Sequence, residues 1–438
     1  MVQRKLKVLL IMEQCNPTFA SIPLACFNIY QEISNLVDAT LVTHERNRKP
    51  LEKYGCIENI SYIPESDWSI RFYRLSTAFT QKIRSEVIRR PVELGLFYLR
   101  YEEFNQKVYK KFNKSVMNGD YDIVHVIPPA NTTRFPVKIV KACQSTPFLL
   151  GPVNGGVPFP DWFEEIAIKK YLNLSFLVDL ARFIMPGYLQ TYKKADKVLV
   201  GSTFTLNHLK KFFKLPDYKL HLLPENGVKE TFFTRTTKER NEEINLLFVG
   251  RLLAFKCPDI VVEALGRLKS EIKKKIRLII VGDGPEKSKL QQQVSNLSLE
   301  TIVKFVGWIS NQETTEYYHQ ADIFCFPSVR ESGGAVVLEA MASGLPCIIA
   351  NNGGIAEYVT EETGFKIQPL SREYLTQELT NKIELLVNDE DLRKTMSVKA
   401  IERAREFEWS YKARKIVEIY EEMLIQAASK EKRSVLGE

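Results

Sequence analysis

The sequence predicts an α/β protein built as two doubly wound, parallel-sheet domains. Three observations carry this prediction. Short, almost wholly apolar runs recur along the chain, amphipathic stretches separate them, and the rhythm breaks once near the middle.

The first-half runs are Lys7–Met12, Ala39–Thr43, Ile123–Val126, Phe148–Leu150, Lys197–Gly201 and Leu220–Leu223. Those of the second half are Asn245–Val249, Leu278–Val281, Val303–Val306, Ile323–Phe326 and Cys347–Ala350. Continuous rather than alternating apolarity is the mark of strands covered by helices on both faces. Asp259–Lys269 illustrates the intervening helices, with Ile260, Val261, Ala264, Leu265 and Leu268 on one side. Periodicity is lost over the polar segment Lys229–Glu243. The expected domains are therefore 1–228 and 229–410, with a C-terminal helix within 411–438 packing back on the first.

A chain of 438 residues is long enough for such cores without disulfide or metal staples. With 45% hydrophobic and 26% charged residues, the composition excludes a disordered, collagen-like or disulfide-scaffold protein. No window supplies the roughly 18 apolar residues of a membrane-spanning helix, and Val8–Met12 is too short for a signal-peptide core. Seven cysteines stand at 15, 26, 56, 143, 257, 325 and 347, without a C-x-x-C pair and without clustered histidines. This predicts a reduced, cytoplasmic protein lacking a structural zinc site.

The net charge of +8 is uneven. Between Ile70 and Ser115, eleven Lys or Arg face four Glu, and aromatic residues such as Phe72, Tyr73, Phe79 and Phe97 interleave. Two readings stay open: the solvated basic face of a pair of amphipathic helices, or a surface for an anionic lipid or acceptor on the inner membrane face. No nucleic-acid module is recognisable.

The most informative stretch for chemistry is Phe324–Ala350, FCFPSVRESGGAVVLEAMASGLPCIIA. A strand ends at Pro327-Ser328, and Ser332-Gly333-Gly334 opens a helix that Ser332 is placed to cap. Gly344 and Pro346 stop it. The unshielded N–H groups of such a helix start favour anions. Glu331 and Glu339 are separated by seven residues, and a carboxylate is a natural acceptor for paired sugar hydroxyls. In NLLFVGRLLAFKCPDIVVEAL, Arg251 and Lys256 follow the strand that ends at Gly250, where they could neutralise a diphosphate. Gly282-Asp283-Gly284 is an incomplete dinucleotide fingerprint, because Lys287 occupies the last glycine position. Asp389-Glu390-Asp391 has metal-motif spacing but sits where a helix cap is needed.

These stretches resemble the nucleotide-binding domain of the retaining glycosyltransferases of the E-x7-E group, glycosyl transferases group 1. The resemblance runs through Gly250-Arg251, Lys256, Gly282-Asp283-Gly284-Pro285, Val306-Gly307-Trp308, Pro327-Ser328, Glu331 through Glu339, and Asn352-Gly353-Gly354. It implies the GT-B fold, two Rossmann-like domains facing a central cleft. By the resemblance, Arg251 and Lys256 hold the donor diphosphate and Glu331 contacts the transferred sugar, the three forming the catalytic set. Gly250, Ser332, Gly333, Gly334 and Ala335 line sugar and phosphate, Trp308 lies by the base, and Glu339 binds the ribose. It further implies a nucleotide-diphosphate sugar as co-substrate, no cofactor and no metal, since the two cations take that role. Transfer with retention to a saccharide or lipid-linked saccharide, in cell-surface polysaccharide or glycolipid assembly, follows from the same resemblance.

The first half resembles the acceptor domain of a bacterial branch, through Glu13-Gln-Cys15-Asn16-Pro17, Arg134-Phe-Pro136 and Gly151-Pro152-Val-Asn154-Gly155-Gly156. Acceptor-side candidates are Asn16, His125, Asn154, Gly155 and Gly156. Two departures stand out. The loop after the first strand, EQCNPTFAS, has no glycine pair, and Gly151-Pro152 stands where relatives carry a histidine. Two other readings therefore compete: a non-catalytic sugar-nucleotide sensor on the same fold, and a Rossmann oxidoreductase, which the broken fingerprint disfavours.

Overall fold

The structure, a computed structural model, describes residues 4–19, 21–83, 86–129, 136–171, 187–233 and 243–436. The chain divides into two compact units. The first comprises Met1–Gly156, Ile166–Glu225 and Trp409–Glu438, and the second Val157–Glu165 and Asn226–Glu408.

The first unit contains β1 (Lys7–Met12), β2 (Asp38–His44), β3 (Ile60–Ile63), β4 (Ile123–Ile127), β5 (Phe148–Val153), β6 (Lys197–Val200) and β7 (Leu220–Leu222). They form one parallel sheet in the order β3-β2-β1-β4-β5-β6-β7. Strand β1 shows why its sequence is continuously apolar. Leu9 and Ile11 pack with Phe104, Val108 and Phe112 of the helix Glu86–Met117 on one face. Val8, Leu10 and Met12 pack on the other with Ile29 and Ile33 of the helix Ile22–Leu36 and with Ile416 and Tyr420 of the helix Trp409–Leu436. Alternate side chains thus enter two different cores, and neither face is left for water.

The second unit contains β8 (Ile244–Val249), β9 (Ile276–Val281), β10 (Val303–Gly307), β11 (Ile323–Phe326), β12 (Cys347–Ala350) and β13 (Gly364–Ile367), again all parallel, in the order β10-β9-β8-β11-β12-β13. The chain winds outward from β8 to β10, then returns to place β11 against β8. Ligands of open α/β sheets bind beyond the carboxyl ends of the strands at such a reversal. The loops after β8 and β11 carry Gly250 to Lys256 and Pro327 to Gly334.

Three features differ from the sequence reading. Strands β3 and β13 had no apolar run to announce them; both are edge strands with only some of their residues buried. Against the expected boundary at 228/229, the division falls at 225/226, and Val157–Glu165 also belongs to the second unit. In that segment the Trp162 indole N–H donates to the Pro369 carbonyl at 2.8 Å, and the Asn352 amide donates to the Pro158 carbonyl at 3.1 Å. The C-terminal helix begins at Trp409, two residues before the expected 411. All seven cysteines are free thiols. Asp389 caps the helix Glu390–Arg405, its carboxylate accepting from the Leu392 N–H at 2.8 Å.

Candidate functional site

The loops after β8, β9 and β10 are stitched together by backbone. The Gly250 N–H donates to the Val281 carbonyl at 2.9 Å, the Gly282 N–H to that of Gly307 at 2.8 Å, and the Leu252 N–H to that of Asp283 at 2.9 Å. This approach requires glycine at 282, where φ is +133° and a Cβ would stand 2.0 Å from the Gly250 oxygen. The frame presents Arg251 at the surface, its guanidinium exposed and without an ion pair among the described residues. Trp308, at the end of β10, is 79% exposed.

Lys256 closes a short 3-10 turn, Ala254–Lys256, just before Pro258 starts the helix Pro258–Arg267. Its ammonium donates to Glu331 Oε2 at 2.6 Å and lies 4.9 Å from the centre of the Phe326 ring. The side chains of Lys256 and Glu331 are only 15% and 16% exposed. Two more bonds join their loops: the Val329 N–H donates to the Phe255 carbonyl at 2.9 Å, and the Ser328 hydroxyl donates to the same oxygen at 3.3 Å. The sequence reading gave Lys256 to the diphosphate and Glu331 to the sugar as separate contacts. The structure makes them one ion pair.

Glu331 is held through its backbone as well. The Gly354 N–H donates to the Glu331 carbonyl at 2.8 Å, and Gly353 forms an isolated parallel bridge with Glu331. A Cβ on Gly353, at φ +81°, would stand 2.1 Å from that same carbonyl oxygen. On the outer side, Asn352 donates to the Val329 carbonyl at 2.5 Å, and the Arg330 guanidinium lies 4.4 Å from the centre of the Phe159 ring.

The helix expected to open at Ser332 begins at Ala335 and runs to Ala342. Its cap is Gly334, left-handed at φ 56°, with Ile355 so close that a Cβ would meet it at 2.3 Å. Ser332 and Gly333 belong to the preceding loop. At this helix start the Ala335 and Val336 N–H groups precede any intrahelical carbonyl they could reach, while the Val337 N–H donates to the Gly334 carbonyl at 3.0 Å. Of the two glutamates, only Glu339 is helical; Glu331 stays on the loop. The stop signal stands as read, with Gly344 at φ +76°.

Glu339 is half-buried and accepts a hydrogen bond from the Tyr318 hydroxyl at 2.9 Å. Burial pushes its carboxyl pKa up to about 7, against the opposing pull of the Tyr318 bond and the Lys229 charge. Tyr318 and Lys229 escaped the sequence reading. The only signal for Tyr318 was its helical spacing from Thr314, which is buried with it on one face of the helix Asn311–Gln320.

The acceptor-side candidates lie in the first unit. His125 is mid-strand in β4, fully buried, with Nδ1 2.6 Å from the Tyr420 hydroxyl and Nε2 2.7 Å from the Gly151 carbonyl. Burial lowers its pKa to about 4, so it is neutral, donates to Gly151 and accepts from Tyr420. Both nitrogens are used inside the first unit, one on strand β5 and one on the C-terminal helix, which corrects its placement among acceptor contacts. Asn16 and Asn154 are buried too. The Asn16 amide oxygen accepts from the N–H and hydroxyl of Thr18 at 2.9 and 2.8 Å. That of Asn154 accepts from Gly155 N–H and from the hydroxyls of Ser202 and Thr205. Gly155 is buried and Gly156 exposed, with φ of +127° and +76°. Arg134 and the following Phe lie outside the described residues. Among the described residues, no three His, Cys, Asp or Glu side chains gather in a metal-binding arrangement.

Two Rossmann-like units, the second with a cation–carboxylate pair and an anion-ready helix start at its sheet reversal, define a protein of the GT-B fold. Residues 229–403, most of the second unit, match the family described as glycosyl transferases group 1. D-inositol 3-phosphate glycosyltransferase of Corynebacterium aurimucosum is 32% identical over 179 residues, 40% of this chain and 42% of that protein. A second protein of that name, from Kribbella flavida, is 24% identical over 249 residues, 53% of this chain and 58% of its own. The chain thus spans about half the length of the curated relatives it matches. Anabaena Alr3699/HepE, solved in complex with UDP, superposes with a TM-score of 0.61 at 18% identity, over 95% of this chain and 100% of that one. At that identity the likeness is one of fold.

Proposed function

We propose that the protein transfers a sugar from a nucleotide-diphosphate donor to an acceptor hydroxyl, with retention at the transferred carbon. The observation that carries this reading is the Lys256–Glu331 pair, with Lys256 on the same loop as Arg251 and Glu331 on the loop that leads into the helix at Ala335. The family of residues 229–403 supports it.

In this reading the bond from the sugar carbon to the diphosphate breaks first, and negative charge grows on the leaving oxygens. Arg251 and Lys256 meet that charge, as do the free N–H groups at Ala335. Preorganised groups of this kind are worth most in the transition state. The acceptor oxygen then bonds to the same face of the carbon, and its proton passes to the departing phosphate. Glu331 is engaged by Lys256, which suits it to orienting the cation and receiving a sugar hydroxyl rather than attacking the carbon. Glu339 accepts from the ribose hydroxyls when ionised. No step requires a metal. A saccharide or lipid-linked saccharide acceptor, in polysaccharide or glycolipid assembly, completes the reading.

The test is release of nucleotide diphosphate from a panel of UDP-, GDP- and ADP-sugars, with and without simple glycoside acceptors. UDP-sugars come first because a fold relative was solved with UDP. Release by the native chain, lowered at least about a hundredfold in Arg251→Ala, is the expected result. Thermal stabilisation by a nucleotide diphosphate with no release from any donor would favour a sensor instead.

A further inference from the structure

The helix Asp67–Lys82 is amphipathic the wrong way round. It buries Ser69 and Thr80, while Trp68, Leu75 and Phe79 are 59%, 72% and 60% exposed. At about 100° per residue, Trp68, Phe72, Leu75 and Phe79 fall in one stripe. Trp68 and Phe72 stack within it, with ring centres 5.0 Å apart. A surface helix of a globular protein turns such a stripe inward. Here the inward side is held by other means. Ser66 caps the helix, Glu103 accepts from the Ser66 N–H at 2.9 Å, and the Arg100 guanidinium lies 4.0 Å from the centre of the Tyr73 ring. The stripe is therefore not needed to fix the helix and remains on the surface.

The charges beside it are one-sided. Arg71, Arg74 and Lys82 are exposed along one flank of the stripe, and none forms an ion pair among the described residues. Asp67, at the helix start, is the helix's only acid. This separates the three from Arg100 and Lys107 of the same basic segment, which are committed to Glu65 at 2.6 Å and Glu103 at 2.5 Å. A contiguous exposed apolar patch marks an interaction site. Tryptophan with leucine and phenylalanine, rimmed by unpaired cations, matches the interface of an anionic bilayer: the rings enter the headgroup boundary and the cations meet lipid phosphates. No described helix is long and apolar enough to cross a membrane, so contact of this kind is lateral.

We propose that the Trp68–Phe72–Leu75–Phe79 face, with Arg71, Arg74 and Lys82, docks the protein on an anionic phospholipid surface. The proposal is independent of the transfer chemistry, and its test needs neither donor nor acceptor. The full chain is floated with vesicles of phosphatidylcholine alone and of phosphatidylcholine with phosphatidylglycerol, at low and high salt. Recovery with the anionic vesicles only, falling with salt, is expected, since each basic residue at such a surface is worth roughly fivefold in binding. Leu75→Glu with Phe79→Glu, and separately Arg71→Glu with Arg74→Glu, each lower recovery at least tenfold while leaving the melting temperature unchanged, because the altered side chains are exposed. Equal recovery with neutral and anionic vesicles overturns the proposal, as does recovery that neither double variant lowers. Absence of vesicle binding, with Leu75→Glu turning a dimer into a monomer by light scattering, overturns it in favour of a second copy of the chain as occupant.

Discussion

Lys256 and Glu331, 75 positions apart in sequence, meet at 2.6 Å at the carboxyl edge of the second sheet. Neither is positioned by its own element alone. Lys256 comes from the turn after β8, Glu331 from the loop after β11, and their backbones are joined through Phe255 and Val329. The pair behaves as one device, so the two side chains should not act additively. Lys256→Ala and Glu331→Ala are each expected to lower donor turnover at least about a hundredfold, and the double variant little further. A double-mutant cycle on nucleotide diphosphate release checks this; fully additive losses would contradict the pairing.

Glu339 offers a pH prediction. Its pKa rises from 4.5 to about 7 on folding, because burial disfavours the charged form. The folded state therefore holds the proton more tightly, and this contribution to stability is full below pH 4.5 and lost as pH rises through 7. Glu339→Gln keeps an oxygen for the Tyr318 hydroxyl and removes the charge. Its melting temperature should exceed the native value by several degrees, about 5–10 °C, at pH 8 and match it at pH 4. Nucleotide diphosphate affinity of the variant should fall by about tenfold at pH 8, as one charged hydrogen-bond acceptor is lost. Scanning calorimetry and titration at the two pH values measure both.

Gly353 should tolerate no side chain. Gly353→Ala places a Cβ 2.1 Å from the Glu331 carbonyl at a left-handed φ, so the two loops must part. We expect a loss of about 1–3 kcal/mol in the second unit and a collapse of donor turnover together. Denaturant unfolding with and without nucleotide diphosphate reads both; an alanine variant with native stability and turnover would show that the loop contact is dispensable.

His125 is expected to matter for folding alone. His125→Ala strands the Tyr420 hydroxyl and the Gly151 carbonyl in the core and should cost about 2–4 kcal/mol, with nucleotide diphosphate affinity unchanged. Because burial lowers its pKa from 6.5 to about 4, its contribution to stability is full above pH 6.5 and declines as pH falls toward 4. Melting curves across that range, native against variant, test the assignment. Native stability with lost transfer would return His125 to the acceptor.

The interior strands could be read because both their faces are covered, so that Val8–Met12 or Cys347–Ala350 is apolar without interruption. Edge strands such as Ile60–Ile63 bury less and leave no such trace. The residue types at the candidate site were legible from their motifs, but their partners were not. Tyr318 reaches Glu339 across 21 residues and Lys256 reaches Glu331 across 75, separations that only the sheet order sets. The helix start was misplaced at Ser332 because serine is a good cap. What decides the start is the space left by Ile355, which admits only glycine at 334. Likewise, the attachment of Val157–Glu165 to the second unit rests on tertiary bonds from Trp162 and to Pro158, which no local pattern encodes.

The central claim is that a nucleotide diphosphate is held by Arg251, Lys256 and the helix start at Ala335. Its most direct test is a crystal structure of the protein soaked with a nucleotide-diphosphate sugar. The account predicts the diphosphate between the Arg251 guanidinium and the Lys256 ammonium, with Glu331 toward the sugar and Glu339 on the ribose. A donor bound at any other place, or in this loop set with Arg251 and Lys256 turned away from its phosphates, would contradict it.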